Sequence, residues 1–290
     1  MRLKIRTYLT GYLFVLPLLV VLFGLIIYPL FLSGYISLTD FTLGLQTKFI
    51  GLKNYVQVIQ TSVFRRTIYN TFLFSALSTV FRLILGLAMA LALNQAFKFR
   101  GFLRGFFLLP WVVPTVVVCL IWFWVFNDML GVVNYFLQKV GMEPVAWLAE
   151  PHLALFSVTF VNVWRGFPFF GICLLAGLQT IPSALYEAAD VDGASAVRKF
   201  VHITIPMLMP VIMVTTLLSF IWAFNEFQLV FLLTRGGPAN LTQIIGIYSY
   251  YTGIQGLQFG VGTAISLVSF PVLAIVVVVM SIILKRGENE

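Results

Sequence analysis

Charge is what this chain lacks. Of its 290 residues only 10% are charged while 60% are hydrophobic, and the mean hydropathy is +1.00. A soluble domain carries about 25% charged residues. There is too little charge here to cover a globule with a solvated surface, so the solvent for most of the chain is lipid. Histidine is scarce: His152 and His202 are the only two, and no HExxH occurs. A zinc centre or a hydrolytic triad therefore has no material. Cys119 and Cys173 are the only cysteines. Both fall inside apolar runs, where neither spacing nor neighbours indicate a metal or a disulfide, and they read as small packing residues. No GxxxxGK[ST] is present, so the chain lacks a phosphate cradle and is expected to bind no nucleotide, metal or other cofactor. The net charge of +8 is scattered among loops and not gathered in one patch, which speaks against nucleic acid as a partner.

What is present is a series of long apolar runs. Tyr12 to Leu32, Asn70 to Leu93, Phe106 to Phe126, Ala154 to Leu178, Met207 to Phe224 and Gly260 to Leu284 are each long enough to cross a bilayer. A crossing needs about 20 mostly apolar residues. Backbone groups in hydrocarbon must be paired internally, and these runs are continuous instead of alternating, so they are helices and not barrel strands. The expected fold is one all-α integral membrane domain over residues 1–290. Arg2, Lys4 and Arg6 before the first run imitate a signal peptide. The run is too long for one and has no small-residue cleavage site, so it is kept as an uncleaved span.

The positive-inside rule gives an orientation. With the N-terminus in the cytoplasm, Arg2, Lys4, Arg6, Lys98, Arg100, Arg104, Arg198, Lys199, Lys285 and Arg286 fall inside. Lys48, Lys53, Arg65, Arg66, Lys139 and Arg235 fall in longer outer loops. Both termini are then cytoplasmic. In the first outer loop Leu52, Tyr55, Val56 and Ile59 recur at helical spacing, which predicts a short helix on the membrane surface. Gly131, Gly141, Pro144 and Pro151 predict turns in the second outer loop. Between Asn225 and Phe259 the stretch FQLVFLL is apolar but too short to cross. It predicts backbone dipping beside a wet cavity, where irregular structure is tolerated at membrane depth.

Arg82 and Arg165 lie in mid-span, where each costs roughly 2.5–3.5 kcal/mol. They are expected to face the interior and to seek an acid, and Glu226 at the end of the fifth run is the one nearby. Arg82 reads as part of a buried scaffold of ion pairs; for Arg165 a scaffold and a pathway role weigh equally. Carbohydrate sites combine an aromatic face with hydrogen-bonding groups, and Trp222, Asn225, Glu226 and Gln228 supply both in one stretch. Arg165 joins them as a candidate of the substrate pathway. Tyr248, Tyr250 and Tyr251 fit the membrane interface better. Gly86 and Ala90 form a small-xxx-small pair suited to close helix contact.

The most specific pattern is EAADVDGASAVRKFVHITIP, from Glu187 to Pro206. Glu187, Ala188, Ala189, Asp192, Gly193, Ala194, Phe200, Ile203 and Pro206 follow a fixed order of types, with Pro210 one turn on. This resembles the EAA motif of permease subunits in binding-protein-dependent ABC importers. GLKNYVQVI, LLPWVVPTVVVCLIWFWVFNDMLGVVN and LLTRGGPANLTQ extend the resemblance to the carbohydrate branch over most of the chain. Within that branch, which takes in maltose, oligosaccharide and glycerol 3-phosphate types, it looks closer to the shorter six-span subunits with a glycine-glycine-proline segment, since it has neither the large outer insertion nor the extra N-terminal spans of the maltose-type version.

The resemblance implies six transmembrane helices of the importer permease fold in a bacterial or archaeal inner membrane, with a cytoplasmic coupling loop over 182–206. It implies a second, non-identical permease, two ATPase subunits that bind ATP and Mg, an external solute-binding protein and a sugar or sugar-like substrate. In the loop, small Ala188, Ala189 and Ala194 allow close docking, and Gly193 permits a positive φ or a close backbone approach. Glu187 and Asp192 can meet basic groups, Phe200 offers an apolar anchor, and Pro206 fits the first turn of the next helix. A secondary transporter driven by an ion gradient is the alternative; such proteins often show inverted repeats, and none is visible here. A channel has no ring-forming charged motif to support it.

Overall fold

The computed structural model describes residues Arg2–Gly287, with side chains for residues 12–279, 281 and 282. Arg2, Lys4, Arg6, Lys285 and Arg286, on which part of the orientation rests, lie outside the described side chains. The helices in chain order are α1 (Arg2–Leu22), α2 (Tyr28–Ser37), α3 (Lys53–Gln60), α4 (Ser62–Asn94), α5 (Arg100–Val112), α6 (Thr115–Val125), α7 (Val132–Lys139), α8 (Ala154–Leu178), α9 (Ser183–Val191), α10 (Ala196–Lys199), α11 (Ile205–Phe224), α12 (Gln228–Thr234), α13 (Ile245–Tyr250), α14 (Phe259–Leu267) and α15 (Ser269–Gly287). Five helical stretches among the described residues are long and apolar enough to cross a membrane, or six if α5 and α6 count as one.

Those two helices do not form the straight third span expected over 106–126. They meet at 92°. Pro114 denies its predecessor the helical region, and Val113 sits in extended backbone with φ −65° and ψ 133°. Two further proline sites are absorbed differently. π turns at Phe23–Ile27 and Phe200–Thr204 stand just before Pro29 and Pro206. Proline clashes with the carbonyl four residues back, and a widened turn moves that carbonyl aside. The helix therefore runs on through both prolines.

The chain divides into two compact units. The first comprises Met1–Thr61 with Tyr248–Phe270. In it α14 packs on α2 and α3. Asn54 is buried and donates to Ser37 O at 2.8 Å and Thr39 O at 2.7 Å. The short helix predicted in the first loop is α3. Its Asn54 and Val58 face inward and Tyr55 is half-buried, while Leu52, Val56 and Ile59 are exposed. The Tyr12–Ser37 helix has none of its apolar window buried within the chain.

The second unit comprises Ser62–Ile247 with Pro271–Glu290. Its axis is the pairing of α4 with α8. A Cβ at Gly86 would overlap the backbone at Phe170 and Gly171, and a Cβ at Gly171 would overlap Met89. Close approach thus depends on bare backbone at both positions. Met89, Ala90, Leu93, Phe170, Leu174 and Leu178 form the core this approach creates. Above it α4 carries a buried polar stripe: Thr67, Asn70, Thr71, Ser75, Ser78, Thr79 and Arg82. Asn70 donates to Asn240 O at 3.0 Å and Gln243 O at 3.1 Å, and the Thr71 hydroxyl accepts from Ile245 N. The stripe so anchors the irregular segment after α12.

That segment matches the expectation of non-regular backbone, with Arg235, Ala239 and Asn240 at positive φ. Leu232–Pro238 borders a groove of about 720 Å³ against α6. Between α6 and α8 the predicted turn formers are joined by α7, which was not foreseen. Buried Asn134 holds it by donating to Asp128 O and Val145 O, both at 2.9 Å, and by accepting from Trp147 Nε1. Cys119 is buried, Cys173 is half-buried, and both are free thiols.

Candidate functional site: a charged cavity and an exposed helical hairpin

Two features of the second unit bear chemistry. The first is a cavity of about 320 Å³ between α4, α5, α8 and α11, lined by Arg82, Trp111, Arg165, Phe169, Ser219, Trp222 and Glu226 among others. Its aromatic wall is continuous, with Trp111 5.9 Å and Trp222 5.1 Å from Phe169, centroid to centroid. Ser219 and Trp222 stand one turn apart on α11, and Arg165 and Phe169 one turn apart on α8, so each pair shares a face.

Arg82 departs from the expected ion pair. It is buried, and its donors are met by neutral oxygens. Nε and Nη2 donate to Asn162 O at 3.2 and 2.9 Å, Nη2 to Asn162 Oδ1 at 2.6 Å, and Nη1 to Ser219 Oγ at 3.0 Å. Asn162 in turn donates to Ser78 Oγ at 2.9 Å. Gly166 leaves the room, since a Cβ there would overlap the guanidinium. The planar fork ties α4 to α8 and α11 without a carboxylate, because one backbone carbonyl and one amide oxygen match its geometry.

Arg165 is different. Its Nε is buried and, among the described residues, has no partner. Glu226 Oε1 accepts from Leu229 N at 3.1 Å and so caps the start of α12. The cavity gathers Arg165, Trp222 and Glu226. It does not gather Asn225 or Gln228. Asn225 ends α11, donates to Ile221 O at 2.9 Å and is exposed; Gln228 opens α12 and is also exposed. Trp111 and Ser219 were not singled out in the sequence. The spacing of Ser219, Trp222 and Glu226, three and then four residues apart, was the available signal.

The second feature is the hairpin of α9 and α10. Helix α9 ends in a Schellman turn: Ala194 N donates to Ala189 O at 2.8 Å and Gly193 N to Asp190 O at 3.1 Å, with Gly193 at φ +70°. Ser195 caps the second arm by accepting from Arg198 N at 3.3 Å. Glu187, Ala188, Asp192 and Pro206 are exposed, while Ala189 and Ala194 are half-buried.

The structure narrows the reading of this hairpin. Nothing lies within 4 Å of a Cβ at Gly193, so the glycine is needed for its φ and not for close approach within this chain. Phe200 is half-buried, and the most exposed apolar side chains of the hairpin are Val191 (89%) and Val197 (72%), one on each side of the turn. Two short helices flank the turn at Gly193, as a helix-turn-helix requires, and the second runs on without a break from Ala196 to Phe224. Pro206 is therefore passed inside a helix, by the π turn before it.

Apolar helices that enclose a charged, aromatic-walled space of solute size define a polytopic membrane transport protein. The chain belongs to the family of binding-protein-dependent transport system inner membrane components, whose family model matches residues 82–286. It is 40% identical to the trehalose/maltose transport system permease protein MalF of Thermococcus litoralis, over 93% of this chain and 91% of that one. It is 33% identical to the diacetylchitobiose uptake system permease protein DasB of Streptomyces coelicolor, over 97% and 89%. Among solved structures, a bacterial ABC transporter that imports the acidic polysaccharide alginate contains a chain that superposes with a TM-score of 0.85 at 26% identity, covering 99% of both. The same kind of transporter in complex with its pentasaccharide-bound periplasmic protein gives 0.86 at 25% identity, covering 98% and 96%. The fold is that of an ABC importer permease, and the chain is a transport subunit.

Proposed function

We propose that this permease conducts a sugar or sugar-like solute, delivered from outside by a solute-binding protein, through a pathway shared with a second permease. Two ATPase subunits, which hold ATP and Mg, dock on the Glu187–Pro206 hairpin at the cytoplasmic face. One observation supports this reading above the others. The helix that begins in the hairpin at Ala196 ends at Phe224, beside the cavity residues Trp222 and Glu226. A displacement of the hairpin is thereby a displacement of one cavity wall. Alternating access follows: ATP binding closes the ATPase pair, the hairpins move, and the cavity opens outward to take solute; hydrolysis resets it.

In the cavity, Arg165 supplies donors, Glu226 supplies acceptors and Trp222 with Phe169 supplies an aromatic face, the combination that saccharide rings require. Glu226→Gln and Arg165→Gln are expected to raise the half-saturating solute concentration for uptake about tenfold, since a hydrogen bond to a charged group contributes about 1.5–3 kcal/mol. Complex assembly should be unchanged. Wild-type uptake by both variants at limiting solute would remove these residues from the pathway. Uptake by vesicles that retain ATP after ionophores collapse the ion gradients separates this reading from a gradient-driven carrier; uptake that stops would favour the carrier.

Both termini and the hairpin are assigned to the cytoplasmic side of the inner membrane. Lys98 and Lys139 are both exposed and stand on opposite sides in this topology. Single cysteines at the two positions should react with a membrane-impermeant thiol reagent from opposite faces. Reaction of both from one face would overturn the topology.

A further inference from the structure

The hairpin carries a device that its docking role does not explain. Two side-chain rungs join α9 to the arm that follows the turn. The outer rung is the exposed ion pair Lys199–Asp190 at 2.5 Å. The inner rung is Tyr186 OH with Thr204 Oγ1 at 2.9 Å. Thr204 is buried and also donates to Lys199 O at 3.5 Å, which leaves its lone pairs to accept from the tyrosine. The Tyr186 ring packs on the α4–α8 core together with Ile203.

Spacing gives this ladder its meaning. On α9 the rungs start from residues 186 and 190, four apart, which share one face of an α-helix. On the other arm they end at residues 199 and 204, five apart. In an α-helix of 3.6 residues per turn, positions five apart diverge by about 140°. The arm between them is not α-helical. The π turn Phe200–Thr204 is closed by bonds between residues five apart, with Ile205 N donating to Phe200 O, and this wider turn brings Lys199 and Thr204 toward the face that meets α9. The π turn therefore does more than admit Pro206; it sets the register of both rungs.

We propose that Tyr186 and Thr204 are positioning residues that fasten the docking helix α9 to the start of α11, so that movement of α9 is passed to the cavity wall. The inference rests on the docking role given under Proposed function. Helix α11 begins at Ile205, directly after Thr204, and its 20 residues reach about 30 Å to the cavity. Without the inner rung α9 stays attached through its backbone, the packing of the Tyr186 ring, which fixes no direction as a hydrogen bond does, and one exposed ion pair. Such pairs contribute little, and α9 can then pivot without moving α11.

The test uses the assembled importer in lipid nanodiscs, with its companion permease and ATPases, in a Cys119→Ala, Cys173→Ala background. Asn225→Cys reports on the far end of α11, since Asn225 is exposed and outside the cavity lining. Its labelling rate by a thiol reagent is measured with and without MgATP plus orthovanadate. The parent complex is expected to show an ATP-dependent change of about tenfold. Loss of one partly buried hydrogen bond shifts a two-state balance by up to about tenfold, so Tyr186→Phe and Thr204→Val should reduce the change to less than twofold. ATPase retention and basal hydrolysis should persist. Thr204→Ser, which keeps the hydroxyl, should behave as the parent. A parent-like change in both Phe and Val variants overturns the proposal. So does loss of the ATPases from both, which would assign the pair to assembly alone. A parent complex that holds no ATPase on the hairpin removes the docking reading itself, and this proposal with it.

Discussion

Gly193→Val will cut coupled transport about tenfold or more while the protein still reaches the membrane. Gly193 holds φ +70° at the end of α9, where it completes the Schellman turn. An L-residue in this region costs about 1–3 kcal/mol, and a β-branched one is the poorest fit. Open space around the position means that no repacking offsets this cost and no clash adds to it. The turn reopens, and Val191 and Val197 no longer flank one edge. Transport and binding-protein-stimulated hydrolysis should fall by about tenfold or more, in line with a lost coupling free energy of that size. Gly193→Asn should be the mildest substitution, because asparagine tolerates the left-handed region, and Gly193→Ala should fall between. Glu187→Lys tests the same surface through charge, since Glu187 is exposed. Reversal at a docking contact costs both affinity and specificity. Membrane levels of all these variants should match the parent, because the apolar helices are untouched. Parent-like stimulation of hydrolysis and uptake in Gly193→Val and Glu187→Lys would remove the hairpin from coupling.

Arg82→Met will destabilise the helical core more than any change to a lipid-facing residue. The substitution removes a cation whose place in mid-span costs roughly 2.5–3.5 kcal/mol, but it also removes four hydrogen bonds from a charged donor. At about 1.5 kcal/mol or more each the bonds outweigh the relief, and the net loss is about 3 kcal/mol. The apparent melting midpoint in detergent should drop by about 5–10 °C. Asn162→Ala should be at least as harmful, because it leaves the guanidinium buried with fewer acceptors. The double variant should cost less than the sum of the two, as expected for residues in one network. Additive effects would show that the fork is not the link between α4, α8 and α11.

Much of this molecule is legible in its residues, and the exceptions are instructive. The positive φ of Gly193 could be read from a glycine set between short polar helices. Arg165, Trp222 and Glu226 could be gathered because charged and aromatic groups in an apolar run need a common polar space. Pro114 was visible in the sequence, yet proline is also compatible with a mild kink, and its presence alone does not give the 92° between α5 and α6. The partner of Arg82 was beyond reach: Asn162 is neutral, lies eighty positions away, and offers its main-chain oxygen, which no residue type announces. The π turn at Phe200–Thr204 was equally hidden, since nothing in its sequence FVHIT separates a widened turn from an α-helical one, and only the rungs to α9 show what the wider turn achieves.

By itself the sequence determined that the chain dissolves in lipid, where its long helices lie, and that a polar hairpin interrupts them. These follow from the cost of exposing apolar groups to water and peptide groups to hydrocarbon, and that cost depends on local composition. The tertiary structure decided which helices touch, which oxygens answer Arg82, how Thr204 comes to face Tyr186, and which of the polar residues near Phe224 open into the cavity. Those outcomes depend on distances between groups far apart in the chain, and they are settled by bare glycine surfaces and hydrogen-bond geometry once the helices meet.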